Sequence, residues 1–142
     1  MSDCLFCRIA GGQVPSDTVY EDDDHVAFLD INPLTKGHTL VVPKAHAMRM
    51  DEMTPEAVAS LFQVVGRVLP AVTNVVGRAD SLVAVHNGPS SGQEIPHVHV
   101  HLVPRAIEDE AGPVHALFGK RPQVSKEENE HIAQRIQALV TA

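Results

Sequence analysis

Apolar positions recur along this chain with two different periods, and the change from one to the other separates predicted strands from predicted helices. Short runs rich in β-branched and aromatic residues, at Thr18 to Glu21 ("TVYE") and at His25 to Asp30 ("HVAFLD"), predict two strands. Between them Asp22-Asp23-Asp24 predicts a solvated hairpin turn. A third strand is predicted by "GHTLVVP", which Gly37 opens and Pro43 closes and whose residues suit a central position. The period then becomes helical. Thr54-Pro55-Glu56 combines an N-cap, a proline at the first helical position and an acidic first turn. Val58, Leu61, Phe62, Val65, Val68, Leu69, Val72, Val75 and Val76 follow as one apolar stripe, placed against a sheet. Pro70 inside that stripe predicts a kink or a break, and Gly77 predicts the stop.

After the helix "SLVAVHNG" predicts a fourth strand, and "HVHVHLV" a fifth that pairs with it across "NGPSSGQEIP". Residues 105–124 carry Gly112, Pro113, Gly119 and Pro122 without a clear period; that is long for an idle connection and predicts a lid or a partner surface. Ser125-x-x-Glu128 is a capping box for a C-terminal helix over residues 125–142, with Ile132, Ile136, Leu139 and Val140 on one face. Strands with one long helix inserted among them predict an α+β domain, a meandering antiparallel sheet of about five strands. No internal repeat or low-complexity tract interrupts it.

At 142 residues the chain suits a single domain, 1–142, and 44% hydrophobic residues are enough for a core. The apolar runs read as too short to cross a bilayer. The start, Met1-Ser2-Asp3-Cys4, has an acidic residue where a secretory signal carries basic ones, so the expected location is cytoplasmic. A net charge of -7 argues against a broad nucleic-acid or anionic-membrane surface, leaving phosphate on a small molecule as the form this chain would handle. Cys4 and Cys7 form one Cys-x-x-Cys, which favours a metal pair or reduced thiols over a structural disulfide.

"PHVHVHLVP" is the densest chemistry in the sequence. In an extended segment His97, His99 and His101 share one side, while Val98, Val100 and Leu102 share the other. Three readings compete. One is a histidine-rich exposed face. A second is a metal site, which two of them can share but not all three, because the outer Cα atoms lie roughly 13 Å apart while zinc holds each nitrogen at about 2 Å. The third is chemistry on phosphorus, where a neutral imidazole attacks and cationic neighbours steady the developing charge. His99, with a neighbour on each side, is then the geometric choice of nucleophile.

"HVHVHLV" resembles the His-x-His-x-His-x-x signature of the histidine triad (HIT) family, and "FLDINPLTKGHTLVVPKAH" and "NGPSSGQEIPHVHVHLVPR" are similar to the two blocks that accompany it, so the resemblance runs from Cys4 to Arg105. It implies a nucleotide hydrolase or transferase acting on purine nucleotide conjugates. In that chemistry the middle histidine, His99, attacks the α-phosphate and forms a nucleotidyl-histidine, from which water releases a nucleoside monophosphate. The His97 carbonyl would orient the His99 ring, His101 would contact the phosphate and help the leaving group, and His38 would be the fourth histidine of the pocket, with no catalytic metal required. Asp30 would bind the ribose and Ile31 the base, with Gly92 and Gln93 forming a phosphate-side loop whose backbone N–H groups suit an anion.

Where the Hint branch has an asparagine before the Gly-Gln pair, this chain has His86 followed by Asn87, so either is a candidate for the phosphate. Glu94 stands where that branch has a serine that assists a leaving amine, and a carboxylate does not replace a hydroxyl donor simply. "HLVPR" is similar instead to the dinucleoside polyphosphate hydrolases of the family. His46 in "PKAH" and His97 complete a Cys₂His₂ set with Cys4 and Cys7, a candidate structural zinc site, with a reduced or redox thiol pair as its alternative. The resemblance also implies a homodimer, and it leaves His115 and His131 as surface residues. Two other readings stay open: a non-catalytic nucleotide-binding interaction module, from outside the enzyme class, and a metal-dependent hydrolase using two triad histidines.

Overall fold

Five strands form one antiparallel sheet in the computed structural model, which describes residues 3–140. They are β1 (Thr18–Glu21), β2 (His25–Leu29), β3 (Thr39–Pro43), β4 (Asp80–Ala84) and β5 (Val100–Arg105). Their order across the sheet is β1-β2-β3-β5-β4. The first three form the expected meander. A helix, α2 (Pro55–Val76), then carries the chain to the far edge, and β5 returns between β3 and β4. This insertion puts β5, which carries His101, inside the sheet between the fully buried β3 and the edge strand β4.

Strand alternation sorts the side chains onto two faces. On one, Ala27, Val41, Val98, Val100 and Leu102 pack against Leu61, Val64, Val65, Val68 and Val72 of α2. On the other, Val26, Phe28, Leu40 and Val42 pack with Phe6 of a short helix, α1 (Leu5–Ala10). His101 lies directly opposite Leu40 in the β3–β5 register, which places it on the α1 face, away from α2. The site is therefore built on the face that the long helix leaves open.

The ends of α2 follow the chemistry read from the sequence. Thr54 Oγ1 accepts from the Ala57 amide at 3.1 Å, and Gly77 closes the helix in the left-handed region at φ 68°. The buried stripe is narrower than expected and turned slightly: Val64 joins it, while Phe62 and Val75 face outward at 38% and 83% exposure. A kink or a break was expected at Pro70; the helix is not broken there and runs on to Val76. Both Pro70 and Gly66, whose carbonyl the proline cannot satisfy, lie on the exposed side, where water can take the missing bond. Among the described residues α2 is also the one helix long and apolar enough to cross a bilayer, a match that the apolar runs did not signal. Its apolar stripe is already packed against the sheet.

The short helical elements had no sequence signal of their own. The segment after Cys4, for which the sequence predicts no element, forms α1, with Cys4 at the N-cap and the Cys7 amide donating to Cys4 Sγ at 3.5 Å. A 3₁₀ turn spans Met50–Glu52 ahead of α2. The chain divides into two compact units, Met1–Asp109 and Glu110–Ala142. The stretch over 105–124 holds the last residue of β5 and two short 3₁₀ turns, Ile107–Asp109 and Val114–Leu117, rather than a structureless loop. In the second unit α3 (Lys126–Val140) starts where Ser125 Oγ accepts from the Glu128 amide at 3.1 Å. Residues 141 and 142 of the predicted C-terminal helix lie outside the described residues.

Candidate active site and the cysteine-histidine cluster

On the open face of the sheet a cleft of about 510 Å³ is lined by α1, by the end of β2 with Asp30 and Ile31, by His38 ahead of β3, by the loop carrying His86, Gly92 and Glu94, and by His99 and His101. Its rings lie close together. His99 and His101 have centroids 4.9 Å apart, His86 and His101 5.1 Å, and His38 and His101 5.2 Å.

The hydrogen bonds fix which nitrogen of each ring carries the proton. His99 Nδ1 lies 2.7 Å from the His97 carbonyl, which can only accept, so Nδ1 bears the hydrogen and Nε2 keeps its lone pair. The Leu34 amide donates to His38 Nδ1 at 3.0 Å, so His38 carries its proton on Nε2 and donates it to His101 Nδ1 at 3.0 Å. A neutral His101 must then hold its hydrogen on Nε2. That atom is buried and has no hydrogen-bond partner among the described residues. A buried donor without an acceptor costs free energy, so this N–H is poised for an acceptor brought by a ligand.

Burial pushes the pKa of His38, His99 and His101 below the ordinary imidazole value, because desolvation disfavours the cationic form. For His101 burial comes first, the neighbouring His99, His38 and His86 add to it, and the result is about 4. The rings are therefore neutral at pH 7. Asp30 Oδ2 lies 3.6 Å from His38 Nε2, and its Oδ1 accepts from the Asn32 amide at 2.9 Å.

Three expected contributions are not found in the cleft. Asn87 turns away, accepting from the Met50 amide at 2.7 Å and donating to Asp51 at 3.0 Å, so of the two candidates only His86 lines the site. The Gln93 side chain is consumed in holding the loop, accepting from the Gly88 amide and donating to the Met48 and Ile95 carbonyls. The backbone N–H groups of Gly92 and Gln93 point at Pro89 and Gly88 carbonyls, at 3.0 and 3.4 Å, rather than at an anion. Gly92 lines the cleft; the loop's amides are already used in its own 3₁₀ turn, Pro89–Ser91.

The three triad rings do not form one row. β5 begins only at Val100, and the chain bends at His97, whose fully buried ring enters a second cluster. There Cys4 Sγ, Cys7 Sγ and His46 Nδ1 lie 3.3, 3.5 and 3.2 Å from His97 Nδ1, and Cys7 Sγ lies 3.3 Å from His46 Nδ1. All four donor atoms are within 4.8 Å of one another. A tetrahedron with zinc bonds of about 2.0 to 2.3 Å has edges of about 3.3 to 3.8 Å, so the donors already stand near the corners a zinc ion needs. His97 Nε2 donates to the Pro43 carbonyl at 2.7 Å, which leaves Nδ1 with the lone pair a metal takes. Asp30, His38 and His101 also bring donor atoms within 4.8 Å of one another, though there two of them already bond each other.

Phe6 also lines the cleft, although no motif in the sequence marks it. It stands between the two cysteines and meets His99 edge-on at 5.0 Å. Only the fold could reveal it, since nothing in "CLFC" marks its phenylalanine as a neighbour of residue 99.

Residues 11–107 match the HIT domain model. The chain belongs to the HIT family. Among its relatives is an adenosine 5'-monophosphoramidase of Schizosaccharomyces pombe, 38% identical over 106 residues that make up 75% of this chain and 77% of that protein. An adenylylsulfatase of Arabidopsis thaliana is 38% identical over 108 residues, 76% of this chain but only 55% of that longer protein. A zinc-bound histidine triad family protein of Mycobacterium smegmatis superposes with a TM-score of 0.73 at 30% identity, covering 99% of this chain and 97% of that one. The family and the two relatives named as enzymes support a hydrolase in general.

Proposed function

We propose that this HIT protein is a nucleotidyl-histidine hydrolase that attacks the α-phosphate of adenosine or related purine nucleotide conjugates at His99 and releases a nucleoside monophosphate. The observation that carries this reading is the pairing of two neighbouring rings in the cleft: a lone pair on His99 Nε2 and an unpartnered N–H on His101 Nε2, with ring centroids 4.9 Å apart. An α-phosphate between them meets a nucleophile and a donor at once. Both enzymes named above act on an adenosine 5'-phosphate joined to a different leaving group, amine in one and sulfate in the other. That pattern supports a pocket reading the nucleotide and tolerating the leaving group.

In the proposed first step His99 Nε2 forms a bond to phosphorus and the bond from phosphorus to the leaving nitrogen or oxygen breaks. The positive charge on the phosphorylated ring is steadied through its Nδ1–H by the His97 carbonyl. The proton for the leaving group comes from His101. An anionic phosphate beside it favours its protonated form, reversing the effect of burial. When His101 takes that proton on Nδ1, the His38 Nε2–H can turn to Asp30 Oδ2, already 3.6 Å away. Water then attacks phosphorus, the His99–phosphorus bond breaks, and the water's proton restores His101. In the same scheme Asp30 and Ile31, which line the cleft, take the ribose and the base.

In the same proposal Cys4, Cys7, His46 and His97 hold a structural zinc, which when bound ties α1 to the loop after β3. A homodimer, by family resemblance, and a cytoplasmic location are also part of the proposal. Glu94 in the cleft favours a second reading, a dinucleoside polyphosphate hydrolase, because no hydroxyl donor stands at that position for a leaving amine. The test is turnover: adenosine phosphoramidate and a dinucleoside polyphosphate are each incubated with wild type and His99→Ala. Release of monophosphate by wild type and its loss in the variant, with nucleotide binding kept, is expected. Wild-type rates in His99→Ala would remove the nucleophile from the scheme, and tight binding without turnover by wild type would make this a binding module.

A further inference from the structure

We propose that α1 is a metal-dependent wall of the nucleotide cleft, so that zinc in the cysteine-histidine cluster sets nucleotide affinity by holding Phe6 against His99; this rests on the zinc and nucleotide readings above. The helix has six residues, far below the roughly 12 to 15 at which an isolated helix becomes even marginally stable, so its place must be fixed by what it touches. Two kinds of anchor are present. One is Phe6, buried among Val26, Phe28, Leu40 and Val42. The other is the thiol pair, with Cys4 at the N-cap and Cys7 one turn on, both aimed at His97 Nδ1.

Those anchors also shape the cleft. Leu5, Phe6 and Ile9 all line it. The Phe6 ring meets His99 edge-on at 5.0 Å, His97 at 5.9 Å and Phe28 at 5.5 Å, so it fills the space into which the nucleophile's ring would otherwise tilt. His97 supplies a second link, because its ring belongs to the metal cluster while its carbonyl receives the His99 Nδ1–H at 2.7 Å. A movement of the cluster therefore reaches His99 through a ring contact and through a hydrogen bond. Phe6 is in this account a positioning residue; it touches the nucleophile and does no chemistry.

The experiment uses the full chain in three forms: loaded with zinc, stripped by a chelator, and as zinc-loaded Phe6→Ala, with Phe6→Leu as the milder variant should the alanine form fail to fold. Bound zinc is measured by atomic absorption, adenosine monophosphate affinity by calorimetry, and the His99 Nδ1–H by its exchangeable proton resonance. Stripping is expected to weaken nucleotide binding about 10- to 100-fold, the range typical for losing support behind a positioned group, with recovery on adding zinc. The Phe6 variants are expected to keep a single equivalent of zinc, lose affinity in the same direction, and broaden or shift the Nδ1–H resonance. Should stripping unfold the chain, the zinc-loaded Phe6 variants decide the matter. Equal affinity in the stripped and loaded forms, or an unchanged affinity and resonance in the Phe6 variants, overturns the coupling alone. A chain that takes up no zinc overturns it together with the zinc reading, and a loaded chain that does not bind adenosine monophosphate overturns it together with the nucleotide reading.

Discussion

Acidification should destabilise this fold through His101 by an amount that follows from its environment. The ring has an ordinary value of 6.5 and is held near 4 in the folded chain by burial and by three neighbouring imidazoles. Between those values the unfolded chain binds the proton and the folded chain does not, so stability falls as pH falls through that window and is fully retained above 6.5. A shift of about 2.5 units corresponds to at most about 3 kcal/mol, and the part expressed between pH 7 and pH 5 is about 2 kcal/mol. Urea unfolding at pH 7, 6 and 5 measures this, with His101→Gln as a reference that cannot titrate at that position. Wild type should lose about 2 kcal/mol more than the variant over that interval. A wild-type loss equal to the variant's, or a gain on acidification, would mean that the ring is not held neutral and that the hydrogen-bond assignment around it is wrong.

Nucleotide binding should take up a proton near pH 6.5, because the phosphate favours the cationic His101 that burial disfavours; calorimetry in buffers of different ionisation enthalpy measures the uptake, and none would argue against His101 as the acid. Gly37→Ala should destabilise the fold, since Gly37 sits at φ 86° and a Cβ there would stand 2.7 Å from Val76 Cγ1 of α2. The left-handed conformation alone costs about 1 to 2 kcal/mol for a residue with a side chain, so an unchanged Tm would contradict the packing of His38's neighbour against the helix.

The fold and the site were legible in the sequence to different depths. The strands, α2 and its caps are written in local patterns: a threonine that accepts from the amide three residues on, a glycine in the left-handed region, and runs with a two-residue or helical period. The HIT signature pointed to His99, His101 and His38, and the fold brings all three into one cleft. What the sequence could not convey depends on contacts between distant segments. Asn87 and Gln93 are spent on Met50, Asp51, Met48 and Gly88 through loop packing that no periodicity encodes. α1 is too short for a helical period to register, and its Phe6 finds His99 only after β5 enters between β3 and β4. The bend at His97 likewise separates one triad ring from the other two, although alternation along an ideal strand would have kept them together.

The proposed mechanism depends on covalent nucleotidylation of His99. Its most direct test is to mix the protein with adenosine phosphoramidate, quench within the first turnover at alkaline pH, digest, and examine the peptide carrying residues 97–101 by mass spectrometry. The account predicts an added adenylyl group on His99, appearing before free monophosphate and absent from His99→Ala. Monophosphate released at the wild-type rate with no adduct on any histidine would contradict it.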